Sequence, residues 1–168
     1  QYKGAQPEEY ILDCDVELFK EFEKASGNNI KQVTLAFEQN GEELTKYLVS
    51  KNIVVSLGHT NATAKQVLEA AKLGATSLTH SFNAMKPLHH REAGTIGGAL
   101  LADNMYLEII TDLIHVSSEA IQILYRIKGK DKLVVVTDAM EAKHLPDGKY
   151  QLGGQDVFVK NNEARLES

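Results

Sequence analysis

The sequence predicts one α/β domain built on a parallel sheet, and three observations lead to that prediction. Short β-branched runs alternate with segments of helical periodicity, and the alternation repeats along the chain. With 168 residues the chain is long enough for one hydrophobic core. Its 43% hydrophobic and 24% charged residues are ordinary for a folded domain, which argues against extensive disorder.

Five short apolar runs are expected to form the parallel strands, because they are rich in the β-branched and aliphatic residues that strands favour. They are residues 33–37, 53–57, 77–79, 106–111 and 133–137. Five strand-then-helix units are too few for a closed eight-stranded barrel, which takes about 250 residues. The sheet is therefore either open or part of a barrel.

Three segments between these runs place apolar residues at helical spacing. They are residues 41–50, 63–73 and 117–127. Asn61 or Thr63 is suited to cap the second segment and Ser117 the third, while Gly74 and Gly129 follow their ends.

The two ends of the chain have different patterns. Residues 8–25 predict a helix or two helical turns. After Asp138, glycines separate short runs, a pattern that predicts antiparallel hairpins. We interpret these hairpins as a small insertion in a strand-to-helix loop. No linker or repeat divides residues 1–168, which are expected to be one domain that looks truncated at both ends.

Charge and cysteine content narrow the classes of function. A net charge of −5 argues against nucleic-acid or anionic-membrane binding, since both need clustered cations. No apolar run reaches the ~20 residues of a membrane span. Cys14 is the single cysteine, so no intrachain disulfide forms and a cytoplasmic setting is favoured. A small-molecule substrate fits best.

Polar residues follow four of the predicted strands. His59 and His80 come just after the second and third, His115 follows the fourth, and Asp138 follows the fifth. Ligands gather at the carboxyl ends of parallel strands, and imidazoles with a carboxylate suit a metal site that activates water. The alternative is that the histidines have no functional role and that Asp138 caps a turn.

The polar, histidine-rich segment 79–98 is long for a simple connection and predicts either a functional loop or a flexible excursion. Arg91 has the planar fork of donors that binds phosphate, and backbone amides near Asn83 and Ala84 suit the same anion. The alternative for Arg91 is a solvated surface arginine.

Five strings in this order carry a family resemblance: GHTNAT with His59, THSFNAM with His80, HHREAG with Arg91, DLIHV with His115 and VTDAM with Asp138. Together with KGAQP and VTLAFE they resemble the N-acetylglucosamine-6-phosphate deacetylases, over essentially the whole chain. That family belongs to the amidohydrolase superfamily and has a (β/α)8 TIM-type barrel, so the resemblance implies that this chain is an internal part of such a barrel.

The resemblance also implies roles for particular residues. His59 and His80 match two ligands of a divalent catalytic metal ion, with zinc or iron expected, and Asp138 matches the general base and then general acid. Asn83 and Ala84 match the loop that holds the sugar phosphate. The implied reaction converts N-acetylglucosamine 6-phosphate to glucosamine 6-phosphate and acetate.

Further implied contacts involve His115, Gln6 and Arg91. His115 matches a substrate-contacting histidine, and Gln6 lies where the family has another substrate contact. Arg91 matches an arginine that reaches the phosphate in the neighbouring subunit, so a homodimer is implied for the intact protein.

Departures from the family pattern leave two alternatives open. Phe37 and Ala93 stand where proline is usual, and the family's metal-binding glutamate lies in a Glu-Gly-Pro motif upstream of the segment that resembles KGAQP. This stretch by itself is therefore expected to be poorly active. The alternatives are an amidohydrolase with another substrate and a non-catalytic phosphosugar-binding module.

Overall fold

The computed structural model describes residues 2–161 and 163–166, which form two sheets with helices packed on the larger one. The larger sheet has five strands, all parallel, and its spatial order follows the chain order. The strands are β1 (Gln32–Leu35), β2 (Val54–Leu57), β3 (Ser77–Leu78), β4 (Tyr106–Ile110) and β5 (Leu133–Val136). This confirms all five predicted strands: β1 begins one residue earlier and ends two residues earlier than predicted, and each of the others is one residue shorter.

The first helix precedes β1, and the other four each connect two consecutive strands, which is the topology of a β/α-barrel wall. The helices are α1 (Val16–Ala25), α2 (Gly41–Ser50), α3 (Ala64–Leu73), α4 (Gly94–Leu101) and α5 (Ser118–Lys128), with short 3-10 turns at Glu8–Tyr10 and Lys130–Lys132. The three predicted internal helices are confirmed. The segment 8–25 forms the first 3-10 turn and α1, separated by extended chain.

Helix ends follow the predicted capping residues with one correction. The Thr63 side chain accepts from Gln66 N in a capping box, Ser117 accepts from Ala120 N, and Gly74 closes α3 in the left-handed conformation. Gly129 closes α5. The alternative cap, Asn61, is wrong for α3, because the backbone of Asn61 is bound to the carboxylate of Glu38 before the helix begins.

Helix α4 was not predicted, because its sequence GTIGGALL is glycine-rich and has no polar face. Residues 94–99 are all buried. A Cβ on Gly98 would lie 2.7 Å from the Val67 Cβ and 2.9 Å from the Ala64 backbone, so glycine allows α4 to pack directly on α3. Segment 79–98 is therefore a shorter loop followed by a buried helical turn.

The hydrophobic core lies between the larger sheet and its helices. Val55, Leu57, Leu78 and Leu107 of the strands are completely buried there, as is Val67 of α3. Strand burial holds the carboxyl ends of the strands in fixed register, so the residues that follow them start from a rigid edge.

The smaller sheet confirms the predicted hairpins. It consists of β6 (Gly148–Leu152), β7 (Gln155–Lys160) and β8 (Glu163–Leu166), paired antiparallel in that order. Within the described ranges, no helix combines the length and the apolar character needed to cross a membrane.

Candidate metal and substrate site

His59 and His80 meet at the carboxyl edge of the larger sheet. Each lies two residues after the last residue of its strand, β2 or β3. Their Nε2 atoms are 3.0 Å apart, and the rings meet edge to face with centroids 4.9 Å apart. His80 is buried at 6% exposure and His59 is half-buried. The structure thus brings the two predicted metal ligands together.

Both histidines have left-handed backbones, with φ of 47° at His59 and 30° at His80. Such conformations cost a non-glycine residue about 1–3 kcal/mol and persist only where the surroundings impose them. Strain of this kind is concentrated at functional sites, so two neighbouring instances favour a functional role for the pair.

Gly58 allows the His59 loop to leave the sheet between its neighbours. A Cβ at Gly58 would lie 2.7 Å from Thr34 Cγ2 and 2.8 Å from the Cβ of Thr79. Thr34 belongs to β1 and Thr79 follows β3. Any side chain larger than that of glycine at position 58 would therefore push the strand ends apart.

The hydrogen bonds of the His59 ring determine its tautomer. His59 Nδ1 lies 2.8 Å from the carbonyl oxygen of Tyr2. Because a carbonyl only accepts, Nδ1 carries the hydrogen and the Nε2 of His59 presents a lone pair towards His80. A histidine whose Nδ1–H is held by a carbonyl is oriented as metal-ligating histidines usually are.

The pair fits a metal ion as part of its coordination shell. Two nitrogens bound to one tetrahedral zinc are about 3.3 Å apart, close to the separation seen here. His80 Nδ1 is buried, and nothing in ranges 2–161 and 163–166 offers it a hydrogen bond. No third histidine, cysteine, aspartate or glutamate of those ranges joins a cluster suited to a metal.

The loop after His59 is tied to the loop after His80. Thr60 N donates to Ala84 O at 3.1 Å, and Lys86 N donates to Thr60 O at 3.1 Å. Glu38, which follows β1, accepts from the Thr60 hydroxyl and from Asn61 N, both at 2.5 Å. Sequence reasoning missed this role of Glu38, and no local pattern signals it because the partners are more than 20 residues away.

The loop predicted to hold phosphate is compact. Asn83 Nδ2 donates to the carbonyl oxygens of His80 and Ser81, both at 3.3 Å. Phe82 and Ala84 have φ of 75° and 46°. Asn83 N also donates to His80 O at 3.0 Å, so both the side chain and the backbone amide of Asn83 stabilise the turn. This leaves the turn's other backbone amides, such as that of Ala84, as the groups suited to an anion.

Arg91 lies beyond this loop, and its side chain is exposed. The next residue, Glu92, accepts from the backbone amides of Ala64 and Gly94 at 2.9 and 3.0 Å, so one carboxylate binds the first residues of both α3 and α4. These backbone hydrogen bonds lower the pKa of Glu92. Glu92 thereby fixes where the Arg91 segment meets the two helices.

Asp112 and His115 form a pair after β4. His115 Nδ1 is 2.6 Å from Asp112 Oδ2, and Asp112 Oδ1 accepts from the backbone N–H groups of Ile114 and His115, both at 2.9 Å. Burial opposes ionisation of Asp112, but the hydrogen bonds from His115 and Ile114 outweigh it and lower its pKa. The sequence does carry a local signal for this pair, because an aspartate three residues before its partner is suited to a side-chain-capped turn.

Asp138 lies two residues after β5, is exposed, and has φ of 49°. It lies on the same edge as the histidines, but β4 separates β5 from β3. At about 4.8 Å per strand the backbone of Asp138 is roughly 10 Å from that of His80. Asp138 therefore lies on the same sheet edge as the histidine pair, two strands away from His80, and has no direct hydrogen bond to either histidine.

Gln6 is exposed in a turn near the amino-terminal end, where its backbone N–H donates to Lys3 O at 3.2 Å. The neighbouring Ala5 O accepts from Gln155 Nε2 at 2.7 Å. Since Tyr2 binds His59, residues 2–5 connect the histidine pair to the smaller sheet.

Sequential parallel strands with paired imidazoles at their carboxyl ends are typical of a segment of a β/α-barrel whose site lies at that edge. The N-acetylglucosamine-6-phosphate deacetylase of Lysinibacillus sphaericus is 46% identical over 167 residues, which are 99% of this chain and 43% of that protein. That of Bacillus subtilis is also 46% identical, over 97% of this chain and 41% of its own length. No protein-family model matches the chain.

Solved structures agree with these relatives. The N-acetyl-D-glucosamine-6-phosphate deacetylase of Mycobacterium smegmatis, solved as a mutant in complex with N-acetyl-D-glucosamine-6-phosphate, has a TM-score of 0.95 and 32% identity over 98% of this chain and 44% of its own. The Thermotoga maritima enzyme has a TM-score of 0.90 and 38% identity over 99% and 45%.

Over the segment it spans, the chain is similar to N-acetylglucosamine-6-phosphate deacetylases, which confirms the resemblance that its motifs indicated. The predicted fold, part of a TIM-type barrel with a small β insertion, is also confirmed. The chain spans about two-fifths of the length of the curated relatives it matches.

Proposed function

We propose that the protein containing this chain hydrolyses the acetamide of N-acetylglucosamine 6-phosphate to glucosamine 6-phosphate and acetate. The observation that carries the proposal is the approach of His59 Nε2 to His80 Nε2, 3.0 Å apart at the strand ends. Two imidazole nitrogens that meet at one point from two rigid loops suit a cation better than they suit a packed core.

In this proposal His59 and His80 hold a divalent cation, with zinc or iron expected from their imidazole nitrogens. When bound, the ion polarises the acetyl carbonyl and makes a water molecule acidic near neutral pH. The Tyr2 carbonyl keeps the His59 ring in the tautomer that ligation requires.

Asp138 acts as the general base and then as the general acid. Its carboxylate is exposed at the strand edge, so it takes the proton from the attacking water and returns it to the departing amine. His115, held at Nδ1 by Asp112, has its Nε2 directed away from that bond and contacts the substrate near the reacting carbonyl.

Binding energy remote from the amide comes from the phosphate. The Asn83–Ala84 turn supplies backbone amides, and Gln6 contacts the sugar. The exposed Arg91 binds the phosphate held by a second subunit, so the active species is a homodimer. Arg91→Gln is expected to raise KM with little change in kcat, because this contact is made equally to substrate and transition state.

The decisive test is an assay of the complete gene product with N-acetylglucosamine 6-phosphate and release of acetate as readout. We expect turnover that is lost on chelation and restored by zinc or iron. His59→Asn and His80→Asn should each reduce bound metal, while His144→Asn, at an exposed position outside the pair, should not. Stoichiometric substrate binding without metal or turnover would instead indicate a non-catalytic binding module.

A second candidate substrate is the galactosamine epimer. A relative named N-acetylgalactosamine-6-phosphate deacetylase, from Escherichia coli O157:H7, is 36% identical over the whole of this chain. The higher identity to the glucosamine enzymes favours the first substrate. Comparison of kcat/KM for the two epimers decides between them.

The residues described here are expected to be poorly active when expressed alone, because the histidine pair supplies only part of a coordination shell. Turnover of the isolated segment equal to that of the complete gene product would contradict this.

We place the protein in the cytoplasm, where phosphorylated sugars are retained. Cys14 fits a reducing compartment, because burial, with help from the charges of Asp13 and Glu38, raises the pKa of its thiol to about 11 and keeps it protonated and unreactive.

A further inference from the structure

Glu38 joins the end of β1 to the loop that carries His59. It is half-buried, three residues beyond the last residue of β1, and both of its carboxylate oxygens are used. Oε2 accepts from the Thr60 hydroxyl and Oε1 accepts from Asn61 N, each at 2.5 Å. These donors belong to the two residues that directly follow His59.

Thr60 transmits this connection to the rest of the site. It is completely buried, and its hydroxyl oxygen also accepts from Ala62 N at 3.0 Å. Its backbone bonds to Ala84 and Lys86 place it between the His59 loop and the loop that follows His80. Any shift of Thr60 therefore moves both loops.

The backbone of His59 needs such support. Its φ of 47° is unfavourable for a residue with a side chain, and the conformation is kept only if neighbouring bonds impose it. On its amino-terminal side, Gly58 N donates to Leu35 O of β1 at 3.2 Å. On its carboxyl-terminal side, Glu38 binds Thr60 and Asn61, in addition to the backbone bonds of Thr60 to Ala84 and Lys86.

We propose that Glu38 is a positioning residue that holds the His59 imidazole in its ligating orientation. This rests on the proposed function only in taking His59 as a metal ligand. The carboxylate is required because it offers an acceptor to each donor, whereas the amide of glutamine offers a single acceptor oxygen. Glu38→Gln therefore leaves the Thr60 hydroxyl or the Asn61 amide without its acceptor.

The experiment uses the complete gene product and compares Glu38→Gln with Glu69→Gln, which removes an exposed carboxylate from the neighbouring helix α3. Zinc affinity and the ring ¹⁵N resonances of His59 in the metal-free protein are measured. We expect the zinc Kd to rise about 10- to 100-fold in Glu38→Gln, as for other partners that orient ligands. The His59 resonances should shift in that variant and stay unchanged in Glu69→Gln.

A conservative variant separates positioning from general destabilisation. Glu38→Asp keeps both acceptors and is expected to recover part of the zinc affinity. Should Glu38→Gln fail to fold, Thr60→Val removes one of the two donors and should shift the same His59 resonances. Zinc affinity and His59 resonances equal to those of the unsubstituted protein in either variant would overturn the proposal.

The two proposals fail in different ways. An unsubstituted protein that binds no zinc and releases no acetate would contradict the proposed function, while His59 resonances that still respond to Glu38→Gln would support the positioning role. Normal turnover together with unaltered zinc affinity in Glu38→Gln would contradict the positioning role alone.

Discussion

The carboxyl edge of the parallel sheet has two halves that are built differently. In the half that follows β2 and β3, the loops are buried and bonded to each other, as Thr60, Ser81 and Met85 show. In the half that follows β4 and β5, the side chains face solvent: Leu113 is 64% exposed, and His115 and Asp138 are exposed as well.

This difference matches what each half is proposed to do. A metal ligand is useful only in a fixed geometry, so the histidine half gains from burial and from many bonds per loop. A general base and a substrate-contacting histidine must be reached by water and sugar, so the other half stays open. We therefore expect substitutions in the first half to change stability and metal binding, and those in the second half to change kcat or KM with little effect on stability.

The largest effect is expected for Asp138→Asn in the open half. Loss of the general base should lower kcat by about 10²- to 10⁴-fold. Asparagine tolerates the left-handed backbone, so the free energy of unfolding should change by less than about 0.5 kcal/mol. Kinetics and urea unfolding of the complete gene product check this, with the exposed Asp131→Asn as control. A loss of stability as large as that expected for substitutions in the buried half would contradict the proposed contrast between the halves.

A substitution in the buried half should have the opposite profile. Gly58→Ala inserts a Cβ within 2.8 Å of Thr34 and Thr79, so we expect unfolding to become easier by about 1–3 kcal/mol. Gly148→Ala is the matched control, because its Cβ would have no neighbour closer than 3.7 Å. Equal urea midpoints for the two variants would contradict this prediction, because they would show that the strand ends can move apart to accommodate the added Cβ.

A smaller effect is expected for Asp112→Asn, again in the open half. The variant weakens the bond that orients the His115 ring, which is exposed and screened by solvent. At about 0.2–1 kcal/mol for such a pair, KM should rise roughly two- to five-fold. Steady-state kinetics test this, and an unchanged KM would mean that the substrate orients His115 without Asp112.

The smallest effect is a pH dependence that arises from Glu92. Its folded pKa is lowered, so ionised Glu92 stabilises the protein above the unfolded pKa of about 4.3, and this contribution is lost as pH falls through the lowered value. Glu92→Gln should therefore be less stable than the unsubstituted protein at pH 7, with the gap closing on acidification. Urea unfolding at several pH values tests it, with the exposed Glu21→Gln as control. A gap that is constant with pH would contradict this origin.

Local patterns predicted much of the fold and the identity of the key histidines. The β-branched runs, the Thr63 and Ser117 caps and the positions of His59 and His80 after strands depend on neighbours in the sequence. Helix α4 escaped prediction because its glycines serve packing against α3, which is a contact between distant residues. Glu38 was not predicted for the same reason, since its partners Thr60 and Asn61 follow the neighbouring strand β2 and lie more than 20 residues away in the chain.

The alternation of strands and helices, the capping residues and the order of functional residues follow from short-range patterns, because periodicity and capping act over a few residues. Three properties arise from folding: the two imidazoles lie 3.0 Å apart, the carbonyl of Tyr2 orients the His59 ring, and Asp138 is exposed to solvent. Those properties depend on strand order and register, which bring together residues that are far apart in the chain.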